Sequence, residues 1–169
     1  MTIDSTPPKR SRFPALIGLL IVLGAIATFF LFRAPGKPLT RALLSQARER
    51  WEKQGPKDYH LEVSVSGRQG ATYAVEVHNG EVTEALRNGA PLQQQRTFRT
   101  WSVPGMFDTM ETDLDTLEFA VAHPDDPKRI MLTLRAHIDE QTGLPKTFLR
   151  SEWGSNHDVT WKVTRFEAK

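Results

Sequence analysis

Three of the five histidines are candidate metal-binding or catalytic residues. They lie on segments in which apolar and polar residues alternate, as in strands. His60, His78 and His137 take polar positions of these segments, next to Glu62 and Glu76. Two imidazoles and a carboxylate can bind zinc if their strands are neighbours in register. No H-x-H or H-x-x-x-H pair fixes such a register. We therefore interpret the three histidines as solvent-facing and assign no catalytic, cofactor-binding or metal-binding residue.

Two acidic segments are further candidates. The stretch from Asp108 to Glu118 could bind calcium or a basic partner, but it lacks the D-x-D-x-D-G pattern of a calcium loop. The sequence HPDDP at 123–127 could support acid–base chemistry, although such runs are commonly turns. We interpret the first stretch as a solvated helix face and the second as a turn.

Several classes of protein lack their characteristic features here. The chain has no cysteine, which removes thiol catalysis, disulfides and Cys-based zinc sites. It contains no G-x-S-x-G elbow and no glycine-rich phosphate loop. Residues 38–169 carry 17 basic against 19 acidic side chains, which disfavours a nucleic-acid-binding domain. We predict no enzymatic activity, no cofactor and no nucleic-acid partner.

The four tryptophans are the residues with the largest potential for binding. Trp51 and Trp161 fit core positions, whereas Trp101 and Trp153 lie near the ends of predicted elements and could line a groove. Core packing is the more common role for such side chains.

Two helices and six strands would position these residues. Thr40 and Ser102 can cap helices whose apolar residues recur at i, i+3 and i+4. Alternation predicts strands at about 59–65, 72–78, 82–86, 130–138, 145–153 and 158–166, and a polar loop at 87–95. Asn79-Gly80 predicts a type I′ hairpin turn. The predicted fold class is α+β: an αβββαβββ domain with a mainly antiparallel sheet packed by helices on one face.

The N-terminal part carries its own signal. Residues 13–32 contain no charge, and a helix of that length spans roughly 30 Å, the thickness of a bilayer core. We predict a basic tail at 1–12, a transmembrane signal-anchor helix at 13–33 that contacts the lipid bilayer, a linker at 34–38 and the α+β domain at 39–169. A cleavable signal peptide, with an A-x-A-like site at 25–27, is the alternative.

The orientation follows from the short N-terminal tail. Basic residues flank both ends of the apolar segment, so the positive-inside rule is nearly balanced. A short tail before a first hydrophobic segment usually stays in the cytoplasm. We therefore predict a single-pass cell-membrane protein with a cytoplasmic N-terminus and with residues 38–169 extracytoplasmic.

A set of ordered motifs resembles a known family. They are Trp51-x-x-x-Gly55-x-x-Asp58-Tyr59-x-Leu61, Tyr73-x-Val75-x-Val77-x-Asn79-Gly80-x-Val82, Met106-Phe107 and Gly143-Leu144-Pro145. Together, over residues 45–167, they resemble the bacterial domain-of-unknown-function family DUF6174. The resemblance implies a small exported or lipid-anchored domain without an assigned activity, and it supplies no catalytic residue. The chain departs from the pattern in lacking a lipoprotein cysteine and in having His137-Ile138-Asp139 where a tyrosine–aspartate pair is usual.

The function expected from these observations is a non-enzymatic binding or interaction module of the cell envelope, with a protein or peptide partner. One alternative is a metal-binding or enzymatic module that uses the strand histidines. Another is a chaperone-like or inhibitor-like domain that offers a sheet edge to a partner strand.

Overall fold

The computed structural model describes residues 36–67 and 70–169. Within them, eight strands form one sheet, and two α-helices, α1 (Arg41–Gln54) and α2 (Val103–Ala122), pack against it. The strands are β1 (Lys37–Pro38), β2 (Tyr59–Ser66), β3 (Ala71–His78), β4 (Glu81–Arg87), β5 (Ala90–Pro91), β6 (Leu132–Ile138), β7 (Pro145–Glu152) and β8 (Val159–Ala168). Two short 3-10 turns, Gln95–Thr97 and Arg99–Trp101, lead into α2.

Both helices begin at the predicted caps. The side-chain oxygen of Thr40 accepts a hydrogen bond from the N–H of Leu43 at 3.2 Å. The Ser102 hydroxyl accepts one from the N–H of Gly105 at 3.3 Å. Each bond satisfies an N–H group that has no partner inside the helix, which is why the helices start at these residues.

The predicted hairpin between β3 and β4 is confirmed. The φ angles of Asn79 and Gly80 are 52° and 82°. Positive values at both central residues are what a type I′ turn requires. The turn pairs His78 with Glu81 and so sets which residues of the two strands share a face.

The strand order is β1-β6-β7-β8-β2-β3-β4-β5, and every neighbouring pair is antiparallel. The last strand of the chain, β8, therefore lies in the middle of the sheet, between β7 and β2. Its pairing with β2 joins residues far apart in sequence, such as Tyr59 and Ala168. Strand β8 is thus the element that unites the two halves of the sheet.

The core lies between one face of the sheet and the two helices. Both helices and alternate residues of β2, β3, β6, β7 and β8 contribute to a single buried cluster. Its members include Leu44, Ala47, Trp51, Tyr59, Leu61, Val63, Val75, Val77, Met106, Phe107, Met110, Leu134, Ala136, Phe148 and Trp161. The intervening strand residues point away from the helices, on what we call the open face of the sheet.

The predicted fold class needs correction. The order αβββαβββ contains six strands, whereas the described residues form eight. The two additional strands, Lys37–Pro38 and Ala90–Pro91, lie at the two edges of the sheet. Two residues cannot show an alternating pattern, and the second pair falls in the predicted polar loop. Strand β6 also begins at Leu132, two residues later than predicted, and leaves Ile130 exposed.

The predicted transmembrane helix at 13–33 lies outside the described residues, as does the predicted tail at 1–12. No helix within residues 36–67 and 70–169 is long and apolar enough to span a membrane. The fold that the structure describes is therefore an eight-stranded antiparallel sheet with two α-helices, and the predicted membrane helix is not part of it.

Candidate functional site

The three candidate histidines lie in three different environments. His60 lies on the open face of β2, beside two glutamates. His78 ends β3, and its Nδ1 is 3.5 Å from Oδ1 of Asp58. His137 lies on β6, three strands away from β2, which is about 14 Å at the usual strand spacing. The histidines do not converge, and in the part of the chain that the structure describes no group of three or more His, Cys, Asp or Glu could hold a metal ion.

His60 contacts two carboxylates, one through each ring nitrogen. Its Nδ1 is 2.7 Å from Oε1 of Glu76, and its Nε2 is 3.1 Å from Oε1 of Glu62. Burial lowers the pKa of His60, but the hydrogen bonds to the two carboxylates outweigh burial and raise that pKa above its ordinary value. When both ring nitrogens donate to carboxylates, the imidazole has no lone pair for a metal or for a substrate proton. His60 therefore bridges β2 and β3 through its contacts with Glu62 and Glu76.

Basic side chains near the C-terminus extend this network. Nζ of Lys169 lies 2.6 Å from Oε2 of Glu76 and lowers the pKa of that carboxyl group. Arg165 on β8 donates from Nε to Oε1 of Glu167 at 2.8 Å, and its Nη1 lies 3.4 Å from Oε1 of Glu62. The acids of β2 and β3 are thereby neutralised on the open face.

The acidic face of α2 is neutralised within the domain as well. Arg41 of α1 contacts Asp115 and Glu118 at 2.5 and 2.6 Å. Arg48, seven residues or about two helical turns further along α1, lies 2.9 Å from Glu111. The face is therefore only partly solvated, because the carboxylates that a calcium ion or a basic partner would need are paired with α1.

The HPDDP segment forms the predicted turn. Oδ1 of Asp126 accepts a hydrogen bond from the N–H of Lys128 at 2.8 Å. Nδ1 of His123 lies 3.0 Å from the carbonyl oxygen of Phe119 at the end of α2. These groups are used in ending the helix and reversing the chain.

The tryptophans divide as the sequence indicates. Trp51 and Trp161 are buried in the core. Trp101 stacks on Tyr73 with ring centroids 4.0 Å apart. Trp153 is 72% exposed at the turn between β7 and β8. The two outer tryptophans lie on different parts of the sheet and do not form one groove.

The feature that sequence reasoning missed is a notch in the middle of the sheet. Strands β7 and β8 pair over only four residues each, from Thr147↔Lys162 to Arg150↔Val159. Beyond Lys162, β8 continues along β2 as far as Ala168. Among the described residues, Val163–Ala168 therefore has a strand neighbour on one side only. We call the space beside this free edge the β8 notch.

The notch exists because the turn between β6 and β7 folds under the sheet and packs on α1. Gly143 in this turn has a φ of 80°, and a Cβ at this residue would clash with the carbonyl oxygen of Ala47. The chain returns to the sheet only at Pro145, the first residue of β7. Strand β7 therefore begins too late to cover the end of β8.

The floor of the β8 notch is apolar. The cavity has a volume of about 460 Å³, and Leu144, Val163 and Phe166 form its floor. The other lining residues are His137, Asp139, Thr142, Lys146, Thr147, Lys162, Thr164 and Arg165. The ring of Phe166 lies 5.8 Å from that of Trp51 and 5.6 Å from that of Tyr59, so the floor is continuous with the core. This volume falls in the range of ordinary ligand sites.

The rim of the notch is mostly basic. Lys146, Lys162 and Arg165 surround it, together with the single carboxylate of Asp139. Lys146 lies 2.6 Å from Asp139 and holds the pKa of that carboxyl group well below its usual range. An apolar floor with a basic rim and a free strand edge is an arrangement that can bind an extended polypeptide.

Comparison with known proteins assigns the chain to a family, but that family has no known activity. Residues 43–147 match a family described as being of unknown function, DUF6174. The match covers more than half of the chain. No curated protein matches the chain.

Proposed function

We propose that this chain, which belongs to the family of unknown function DUF6174, is a non-enzymatic binding domain that accepts an extended segment of a partner polypeptide as an added strand. The observation that carries this proposal is the free edge of β8 in the β8 notch. Six residues of that edge, Val163–Ala168, follow the four pairs that β7 makes with β8. Strand addition to such an edge is a common mode of peptide recognition.

The geometry defines the length and direction of the segment. Six residues span about 20 Å at roughly 3.3 Å per residue. An added strand would continue the line of β7 and run antiparallel to β8. Alternate side chains of the segment would then face the floor formed by Leu144, Val163 and Phe166, and the others would face the open side of the sheet. The main chain contributes affinity, and the apolar floor contributes selectivity for every second residue.

The other sheet edges fit this role less well. At each outer edge of the sheet lies a two-residue strand that contains a proline, Pro38 in β1 and Pro91 in β5. Proline lacks the N–H group that pairing requires and is one of the means by which proteins blunt an edge. The outer side of β4 at Glu81–Glu84 also has no strand partner among the described residues, but two of its four residues are glutamates that oppose pairing.

Peptide selection followed by mapping of the binding site tests the proposal. The full-length protein is used to select from a displayed library of random twelve-residue peptides, and the selected peptides are then synthesised. We expect them to slow amide hydrogen exchange in Val163–Ala168 and to leave exchange in Glu81–Glu84 unchanged. Failure to select any peptide, or protection confined to other strands, would show that β8 does not accept an added strand.

A further inference from the structure

We infer that a second cavity, on the helix side of the sheet, binds a small ligand in which a planar apolar ring carries a carboxylate. The cavity has a volume of about 440 Å³, within the range of ordinary ligand sites. It lies beside the start of β3, the end of β4 and the two 3-10 turns that precede α2. It shares no lining residue with the β8 notch, and β2 separates β8 from β3. The inference therefore goes beyond the proposed function and does not depend on it.

Two stacked aromatic rings form part of the cavity lining. Tyr73 faces the helices because it alternates with Val75 and Val77 of the core. The centroids of the Tyr73 and Trp101 rings are 4.0 Å apart, and the ring planes make an angle of 17°. Both residues are half-buried, and Leu92, which packs on the core, adds aliphatic surface beside them. A planar apolar ring can pack on this preformed surface by offset stacking or edge-to-face contact.

Arg87 supplies a positive charge to the same cavity. It pairs directly with Tyr73 across the β3–β4 ladder, which places both side chains on the same face of the sheet. Arg87 is exposed, and its guanidinium has no hydrogen bond or ion pair within residues 36–67 and 70–169. Glu84, the acid closest to it along β4, lies opposite Glu76 on the open face. Among the described residues, no aspartate or glutamate lines the cavity.

A carboxylate is the ligand group that this arrangement favours. A guanidinium offers parallel N–H donors that match the two oxygens of a carboxylate. Arg41 and Arg150 already contact acids of the domain in this way, whereas Arg87 contacts none of the described acids. The hydroxyl of Tyr73 and the indole N–H of Trp101 also have no hydrogen-bond partner in the part of the chain that the structure describes. They can bond to further polar atoms of the ligand.

Three small probes test the inference on the full-length protein. Naphthoate has both the ring and the carboxylate, naphthamide has nearly the same shape without the charge, and acetate has the charge without the ring. Each probe is titrated into protein labelled with a heavy nitrogen isotope, and the indole N–H signals of the four tryptophans are followed by NMR. The variant Trp101→Phe identifies the Trp101 signal by its loss.

Two further variants test the role of the charge. Arg87→Gln removes a positive charge at the cavity, and the matched control Arg129→Gln removes one on the loop after α2. Both residues are exposed, so neither change disturbs the core.

Naphthoate should bind about tenfold more tightly than naphthamide or acetate, because only naphthoate uses both the rings and Arg87. It should shift the Trp101 signal and leave those of the buried Trp51 and Trp161 in place. Arg87→Gln should weaken naphthoate binding by about tenfold and leave naphthamide binding unchanged. Arg129→Gln should change either affinity by less than about twofold.

Equal binding of naphthoate and naphthamide would overturn the inference, because the cavity would then not select a carboxylate. Equal losses in Arg87→Gln and Arg129→Gln would also overturn it, since they would show general attraction to positive charge. A Trp101 signal that stays in place in every titration would show that the cavity does not bind this class of ligand.

Discussion

Replacing Gly143 by alanine should destabilise the protein more than any other glycine-to-alanine change at the same backbone angle. Gly143 lies in the turn between β6 and β7, with a φ of 80°. A Cβ there would clash with the carbonyl oxygen of Ala47 and would lie 3.0 Å from the backbone nitrogen of Trp51. Both groups belong to α1, so the added methyl group must push the turn away from the helix. Gly154 is a matched control, because its φ is 79° and nothing lies within 4 Å of a Cβ there.

The two substitutions have the same effect on backbone conformation and on the entropy of the unfolded chain, and they differ only in steric overlap in the folded state. Placing an alanine in the left-handed region costs about 1–2 kcal/mol at either residue. The loss of chain entropy in the unfolded state is also the same for both and cancels in the comparison. Only Gly143→Ala adds overpacking against backbone atoms, which typically costs about 1–3 kcal/mol. We therefore expect Gly143→Ala to lower the free energy of unfolding by about 1–3 kcal/mol more than Gly154→Ala.

Equilibrium unfolding in urea measures this difference. The fluorescence of the buried Trp51 and Trp161 reports the transition. If the two variants have the same m-value, the difference between their urea midpoints gives the difference in stability directly. Equal losses of stability would refute the reasoning, because they would mean that the turn does not pack closely on α1. The explanation for the β8 notch would then fail as well.

Two further predictions concern hydrogen bonds that cross the domain. The His60 bridge raises the pKa of the imidazole, so its contribution to stability is complete below the unfolded value of about 6.5 and is lost as the pH rises through the raised folded value. The difference in urea midpoint between the wild type and His60→Gln should shrink from pH 5.5 to pH 9, and a pH-independent difference would contradict the bridge. The hydroxyl of Tyr59 accepts a hydrogen bond from the N–H of Val103 at 3.2 Å. Tyr59→Phe should cost about 1–3 kcal/mol by leaving that buried N–H unsatisfied, and a loss below about 0.5 kcal/mol in thermal or urea unfolding would show that another acceptor replaces the hydroxyl.

The part of the site that could be predicted from sequence is the part set by alternation along neighbouring strands. Asn79-Gly80 determines the register of β3 on β4, and the alternation of β2 and β3 places His60 and Glu76 on the same face. Their contact at 2.7 Å follows once those two strands are neighbours. His137 shares the same alternation, but no local pattern states how many strands separate β6 from β2.

The ion pairs between the acidic face of α2 and the arginines of α1 could not be predicted from the sequence either. The spacing of the acids on α2 indicates a polar face, and the structure shows Arg41 and Arg48 of α1 against it. Which face of one helix meets another depends on how both pack on the sheet. The prediction of a solvated face was therefore incomplete.

The sequence by itself determined where most helices and strands begin and end, because caps, turns and alternation depend on residues a few positions apart. It also determined that the chain carries no cysteine chemistry and none of the catalytic motifs considered. Only the tertiary structure decided that β8 lies in the middle of the sheet and that its end is left uncovered. The strand order depends on pairing between residues about a hundred positions apart, such as Tyr59 and Ala168. The β8 notch depends on the packing of Gly143 against α1, and neither contact leaves a periodic trace in the sequence.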